Sequence, residues 1–271
     1  MYIKGVNLGN WLVLEKWMSP ALFEGTTAED EYYLPRQLSK EVYEARIKVH
    51  RAEYISERDF VAIKAMGMEA VRIPVPYFIF GDREPFIGCV EELDKAFNWA
   101  EKYGLQILID LHTAPEGQNG FDNGGICGVC KWSKNPEEVE FVLTVLERLA
   151  KRYGKRKGLW GIEVLNEPIT ESVWELFDVP NRYPAVDKEM AAGSGPNTLA
   201  FLRIFYQEAY DRIRKICCHS RRICAYSVER FYAGRKICRC CAGYTSVSDD
   251  GRGSWMRTDD RRIHMLCERT L

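Results

Sequence analysis

The chain has 271 residues, 46% of them hydrophobic and 28% charged, with a formal net charge of −1 at pH 7. That length can bury one large core or two smaller ones, and the even charge gives no electrostatic reason to expect a nucleic acid or an anionic membrane as partner. No apolar run approaches the roughly 20 residues of a membrane span, and Met1-Tyr2-Ile3-Lys4-Gly5 lacks the basic and apolar regions of a signal peptide, so a cytoplasmic protein is expected, or one exported by a route the sequence does not display.

An opening strand is expected near Ile3 to Leu8. From Ser56 onward one pattern repeats three times: amphipathic helix, glycine, short apolar strand. Ser56-Glu57-Arg58-Asp59 reads as a capped helix start; Phe60, Ile63 and Met66 follow near helical spacing, Gly67 closes the helix, and Ala70 to Pro74 is the next strand. The second unit runs through Leu93, Ala96, Phe97 and Ala100 to Gly104, with a strand from Leu105 to Leu111. In the third, Asn135-Pro136 supplies an N-cap and first turn. Val139, Val142, Leu143, Leu146, Leu149 and Ala150 form its stripe, Gly154 ends it, and Leu159 to Leu165 is the strand. A further helix is expected from Leu199 through Ile213.

Apolar strands separated by helices imply a parallel sheet, either doubly wound or closed into a barrel. No Gly-x-Gly-x-x-Gly follows the first strand and no phosphate loop is present, which removes support from a nucleotide-binding sheet. Polar residues decide further. Asn7 and Asn10, Arg72, Asp110 and His112, and Asn166 and Glu167 fall at or near the carboxyl ends of successive strands, where barrel enzymes place their active sites. The expected fold is therefore α/β, a (β/α)8 barrel of which about four βα units are recognisable.

Glu167 stands in Leu165-Asn166-Glu167-Pro168, directly after an apolar strand that Pro168 stops. A partly desolvated carboxyl there would favour its protonated form and suit a general acid; a solvated or ion-paired strand-end Glu is the plainer alternative. Arg72 lies inside an apolar strand and requires an anionic partner. His112 has no His-x-His companion, so a zinc hydrolase is not indicated. Trp11, Trp17, Phe121, Trp132, Trp174 and Phe177 fall on the expected mouth loops, where rings suit the flat C–H faces of sugars, although about half should simply cover the barrel end. Cys127-Gly-Val-Cys130 has the spacing of half a zinc site with no second pair at a suitable distance, and loop cysteines are the plainer reading.

Taken together, four segments resemble glycoside hydrolase family 5, especially its exo-β-1,3-glucanase-like members. They are Gly5-Val6-Asn7-Leu8-Gly9-Asn10-Trp11-Leu12-Val13-Leu14-Glu15; Val71-Arg72-Ile73-Pro74-Val75; Asp110-Leu111-His112-Thr113-Ala114-Pro115-Glu116-Gly117-Gln118-Asn119-Gly120-Phe121-Asp122-Asn123; and Glu163-Val164-Leu165-Asn166-Glu167-Pro168. The resemblance covers roughly residues 1–215. It implies a retaining hydrolase of β-glucosidic bonds in a β-glucan or β-glucoside, with no cofactor and no metal. Glu167 would be the acid/base, and Asn166 would bind the sugar 2-hydroxyl. Arg72 would orient the nucleophilic carboxylate, and His112 and Glu15 would contact the sugar. Asn119, Phe121 and Asp122 would complete the substrate-binding set. The nucleophile should stand about 5–5.5 Å from Glu167 and come from a later strand, so none is assigned.

After Lys215 the text changes character. Seven of the ten cysteines and eleven Lys and Arg fall in the last 56 residues, without barrel periodicity or clear strands. A zinc-binding or disordered tail would account for this, but a frameshift near Lys215 is the expected reading: read one base later, codons for Cys217 to Glu268 permit an apolar strand ending in His-x-Tyr. The expected division is a catalytic-barrel part at 1–215 and an aberrant tail at 216–271. The alternative to an active hydrolase is an inactive half-barrel that keeps residual glycan binding.

Overall fold

The computed structural model describes residues 3–217 and three short strands at 225–226, 255–257 and 264–266. Strands β1 (Gly5–Asn7), β2 (Ala70–Val75), β3 (Gln106–Leu111), β4 (Leu159–Glu163) and β5 (Ala225–Tyr226) lie side by side in chain order, all parallel. On the other edge, β7 (His264–Leu266) pairs antiparallel with β1 and with β6 (Trp255–Arg257). The nine helices of the described residues are α1 (Leu34–Gln37), α2 (Lys40–Glu53), α3 (Glu57–Ala65), α4 (Val90–Tyr103), α5 (Pro136–Tyr153), α6 (Glu171–Leu176), α7 (Val179–Arg182), α8 (Lys188–Ala191) and α9 (Leu199–Ile216). Four consecutive parallel strands joined through helices form one side of a (β/α)8 barrel.

The helix signals work as expected from their chemistry. The Asp59 carboxylate accepts from both the backbone N–H and the hydroxyl of Ser56 at the start of α3. Asn135 Oδ1 accepts from Glu137 N at the start of α5, and Gly104 leaves α4 in the left-handed region at φ 68. The buried face of α4 is the expected Leu93, Ala96, Phe97 and Ala100. Together with the inward faces of α3, α5 and α9 it packs on Ile73, Ile107, Ile109 and Ile162 from the strands in one core. A smaller core lies over the mouth, where Leu14, Phe23 and Leu34 meet Tyr43 and Ile47 of α2 and Ile126 and Val129 of the loop after β3.

Several expectations are corrected. Met66 is exposed, because it caps α3 and the stripe ends at Ile63. Gly154 ends α5 as expected, at φ −59; a Cβ there would meet Ala150 O at 2.5 Å and Cys217 Sγ at 2.3 Å, so close approach calls for the glycine. The strand beginning at Leu159 stops at Glu163, two residues early, and the chain then crosses the rim. The expected absence of clear strands beyond Lys215 does not hold, since β5 pairs with β4 at one edge of the four-stranded sheet and β7 with β1 at the other. Unpaired edge groups accept any extended segment, and pairs of two or three residues are too short to show a hydrophobic period. The expected shifted reading frame otherwise lies outside the described residues. Among the described residues no helix is long and apolar enough to cross a membrane.

Candidate active site

The strand register places the polar residues in layers. Asn7 stands beside Arg72 on β1 and β2, and Asp110 beside Glu163 on β3 and β4. Arg72 reaches toward the carboxyl end of the sheet and spends its donors there. Nε and Nη2 donate to the two Glu163 oxygens at 2.7 and 3.0 Å, and Nη1 donates to Asn7 Oδ1 at 3.0 Å. Nη2 also meets Asn166 Oδ1 at 2.9 Å and Asp110 Oδ2 at 2.9 Å. The anionic partner that the sequence demanded is thus a pair of buried carboxylates. Burial works against the Arg72 charge, but Asp110 and Glu163 outweigh it and hold the guanidinium proton above its ordinary range. Burial, then repulsion from Asp110, pushes Glu163 up against the pull of Arg72.

His112 follows β3 and turns Nδ1 onto Asp110 Oδ2 at 2.5 Å. Burial lowers its proton affinity; the charge and hydrogen bond of Asp110 more than offset this, and His112 sits above the usual histidine range. Its Nε2 is buried without a hydrogen-bond partner. It can therefore accept from a hydroxyl when the ring is neutral and donate to one when it is protonated.

Asn166 is the joint between this cluster and Glu167. Its Oδ1 accepts from Arg72, its Nδ2 donates to Glu167 Oε2 at 3.3 Å, and its backbone N–H donates to Leu111 O at 2.9 Å. Glu167 has φ 43, a left-handed conformation that a non-glycine residue adopts at a cost of roughly 1–3 kcal/mol. The partly desolvated setting expected for Glu167 is corrected: on the strained turn that follows the buried Val164 and Leu165, the residue is exposed among the described residues.

The remaining expected site residues fall in two groups. Glu15 is half-buried; its Oε2 accepts from Trp17 Nε1 at 2.9 Å, and it lies near enough to His112 for its charge to act on that ring. Phe121 packs against Tyr183 and Phe177, with ring centroids 5.0 and 6.1 Å away. Asp122 is half-buried beside a narrow crevice that Asp30 and Glu31 also line, and burial raises its carboxyl. Asn119 is fully buried and turned inward, its Oδ1 accepting from Phe121 N at 2.9 Å; any effect on substrate passes through the loop it shapes. Of the six aromatics expected at the mouth, Trp11 and Trp132 are core residues. Trp11 Nε1 donates to Arg51 O, and Trp132 packs under Phe201 and Phe205. Trp17 is 56% exposed and Phe177 is exposed, while Trp174 is half-buried.

Two residues without an assigned part in the sequence reading organise the site. Glu163 is the main Arg72 partner; an ionisable residue inside an apolar strand was its visible signal. Gln118 is fully buried, and its Nε2 donates at 2.9 Å to the backbone carbonyls of both His112 and Asn166, locking the two strand ends together. Nothing in its sequence surroundings marks it. Cys89, Cys127 and Cys130 are free thiols and buried, and Cys217 is buried as well; no group of three or more His, Cys, Asp or Glu among the described residues could hold a metal.

An arginine–carboxylate cluster at the carboxyl ends of parallel strands, with a rim glutamate beside it, defines a site of the β/α-barrel class. Residues 39–220 match the family model Cellulase (glycosyl hydrolase family 5), and the chain belongs to that family. It is 42% identical over 176 residues to a glucan 1,3-beta-glucosidase of Pichia angusta, covering 62% of this chain and 40% of that protein. A second glucan 1,3-beta-glucosidase, from Candida oleophila, is 35% identical over 226 residues, covering 78% and 47%. The chain thus spans less than half the length of these relatives. The crystal structure of rutinosidase from Aspergillus niger shares the fold, with a TM-score of 0.58 at 21% identity over 76% of this chain and 58% of that one.

Proposed function

We propose that the chain carries the acid/base side of the active site of a retaining glycoside hydrolase, one that cleaves β-glucosidic bonds in β-glucans in the manner of an exo-β-1,3-glucosidase. The observation that carries the reading is Glu167, held at the rim in a strained conformation and joined through Asn166 to the Arg72–Glu163–Asp110 cluster. Membership of family 5 and the names of the relatives support the substrate class. In this chemistry Glu167 protonates the departing glycosidic oxygen and then takes a proton from the attacking water. Asn166 meets the sugar 2-hydroxyl, His112 offers Nε2 to a neighbouring hydroxyl, and Glu15 accepts from hydroxyls of the terminal sugar. Arg72 stiffens the floor beneath them and orients carboxylates.

Retention requires a second carboxylate about 5–5.5 Å from the first. Asp110 and Glu163 are buried and committed to Arg72, so neither can attack an anomeric carbon, and no described residue takes the nucleophile's part. The second reading is that the chain by itself binds glycan without cleaving it. Glucose release from laminarin, a β-1,3-glucan, separates the two. For the hydrolase, Glu167→Gln should lower turnover by about 10³-fold, and added azide should restore turnover of an activated aryl glucoside. Equal activity in the variant and the wild type would remove Glu167 from its role, and laminarin binding without turnover in the wild type would establish the second reading.

A further inference from the structure

The loop that follows β1 holds Glu15 by a construction that the chemistry above does not use. Asn10 is fully buried with φ 60, and every polar group of its side chain is engaged. Its Oδ1 accepts from Glu15 N at 2.8 Å, and its Nδ2 donates to Ser19 Oγ at 2.7 Å. The residues that follow turn back on Glu15, with Met18 N and Ser19 N donating to Glu15 O at 2.9 and 3.2 Å. Helix α2 anchors the turn from behind: His50 Nε2 lies 2.6 Å from Asn10 O, and the next carbonyl, Arg51 O, accepts from Trp11 Nε1 at 3.0 Å. Burial lowers His50 to about 4, so at neutral pH a neutral imidazole donates to Asn10 O.

Gly9 completes the arrangement by what it leaves out. A Cβ at this position would meet Glu15 Oε1 at 3.0 Å and Asn7 Nδ2 at 3.2 Å. The Glu15 carboxylate therefore occupies the place of a side chain on Gly9, next to the Asn7 side chain that Arg72 holds. A methyl group there would press on the end of a flexible side chain and not on backbone, so the fold tolerates it while the carboxylate moves.

We propose that Gly9 and Asn10 are positioning residues for Glu15: together they set its carboxylate at the mouth, where it accepts hydroxyls of a terminal glucosyl residue. This rests on the glycosidase reading for the identity of the ligand, but not for the geometry.

Two measurements on the full chain keep those apart. The first needs no sugar. The indole N–H of the exposed Trp17 donates to Glu15 Oε2, so its proton–nitrogen NMR resonance reports where the carboxylate stands. Gly9→Ala and Asn10→Gly, the latter keeping the backbone free to adopt φ 60, should each move that resonance toward the position it takes in Glu15→Gln. An unmoved resonance in both variants would overturn the proposal whether or not a sugar binds. The second measurement is the affinity for laminaribiose. Asn10→Gly and Gly9→Ala should each weaken it about tenfold in the wild-type background, and less than twofold in Glu15→Gln. Equal losses in the two backgrounds would show a general structural effect and overturn the proposal. A wild type that shows the expected indole behaviour but no affinity for laminaribiose would support the positioning roles and overturn the glycosidase reading.

Discussion

Two regions of this molecule bury ionisable groups and resolve the cost in opposite ways. Under the mouth, Arg72, Asp110, Glu163 and His112 are packed so that each charge faces one of the other sign. The first loop and helix α2 also bury an ion pair, Glu31 with Arg51 at 3.8 Å, but their neighbours Asp30 and His50 make hydrogen bonds with the backbone instead of facing a counter-charge. Cys127 N and Tyr33 N donate to Asp30 at 2.7 and 3.0 Å, and Asn10 O meets His50. Burial there drives each group toward its neutral form, raising Asp30 to about 6 and lowering His50 to about 4. Amide dipoles suffice where a loop only needs fastening. Where Asn166 and Glu167 stand at the rim, the fold sets a charge-balanced cluster beneath them, in which Arg72 cannot rotate without losing several bonds at once.

The sharpest way to break the comparison is to take the cation out of the cluster. Arg72→Met leaves Asp110 and Glu163 buried together without a counter-charge, and unfolding in urea should show a loss of about 3–5 kcal/mol. Arg72→Lys should recover only part of this, because an ammonium cannot serve Glu163, Asn7, Asn166 and Asp110 together. A loss below about 1 kcal/mol for Arg72→Met would mean that the cluster contributes position without stability.

The same contrast explains what could be read from the sequence. Helices α4 and α5 were legible because their inward stripes are purely apolar, and Gly104 because its left-handed cap has a single common solution. Helix α2 was missed because its buried face is Tyr43, Ile47, His50 and Arg51, at helical spacing but half polar, so the apolar period disappears. The need of Arg72 for an anion was legible, and the positions of His112, Asn166 and Glu167 at strand ends followed from the strand pattern. The burial of Asn119 and the bridge made by Gln118 were not, since both depend on how a glycine-rich loop folds back on itself. The exposure of Glu167 was not legible either, because the left-handed turn that carries it leaves no mark in the hydrophobic pattern.

Within the loop region the two neutralised groups should titrate with opposite sign. His50 is lowered in the fold, so its contribution to stability is present above its unfolded value of about 6.5 and is lost as the pH falls toward 4. That amounts to about 3 kcal/mol across the window. His50→Gln keeps an N–H for Asn10 O without a titrating ring, so its stability should change less between pH 7 and pH 4 than that of the wild type. Parallel curves for the two proteins would show that His50 carries no such linkage.

Asp30 is raised in the fold, so its contribution is present below its unfolded value of 3.8 and is lost as the pH rises through about 6. Asp30→Asn removes the titration while an amide oxygen can still accept from Cys127 N. Urea unfolding at pH 4 and pH 7.5 should show the variant gaining on the wild type by about 2 kcal/mol at the higher pH. If the wild type instead keeps or widens its advantage at pH 7.5, the ionised carboxylate is being held by more than two backbone donors. Asp30 would then belong with the charge-balanced cluster beneath the mouth, and the division between the two regions would lie elsewhere.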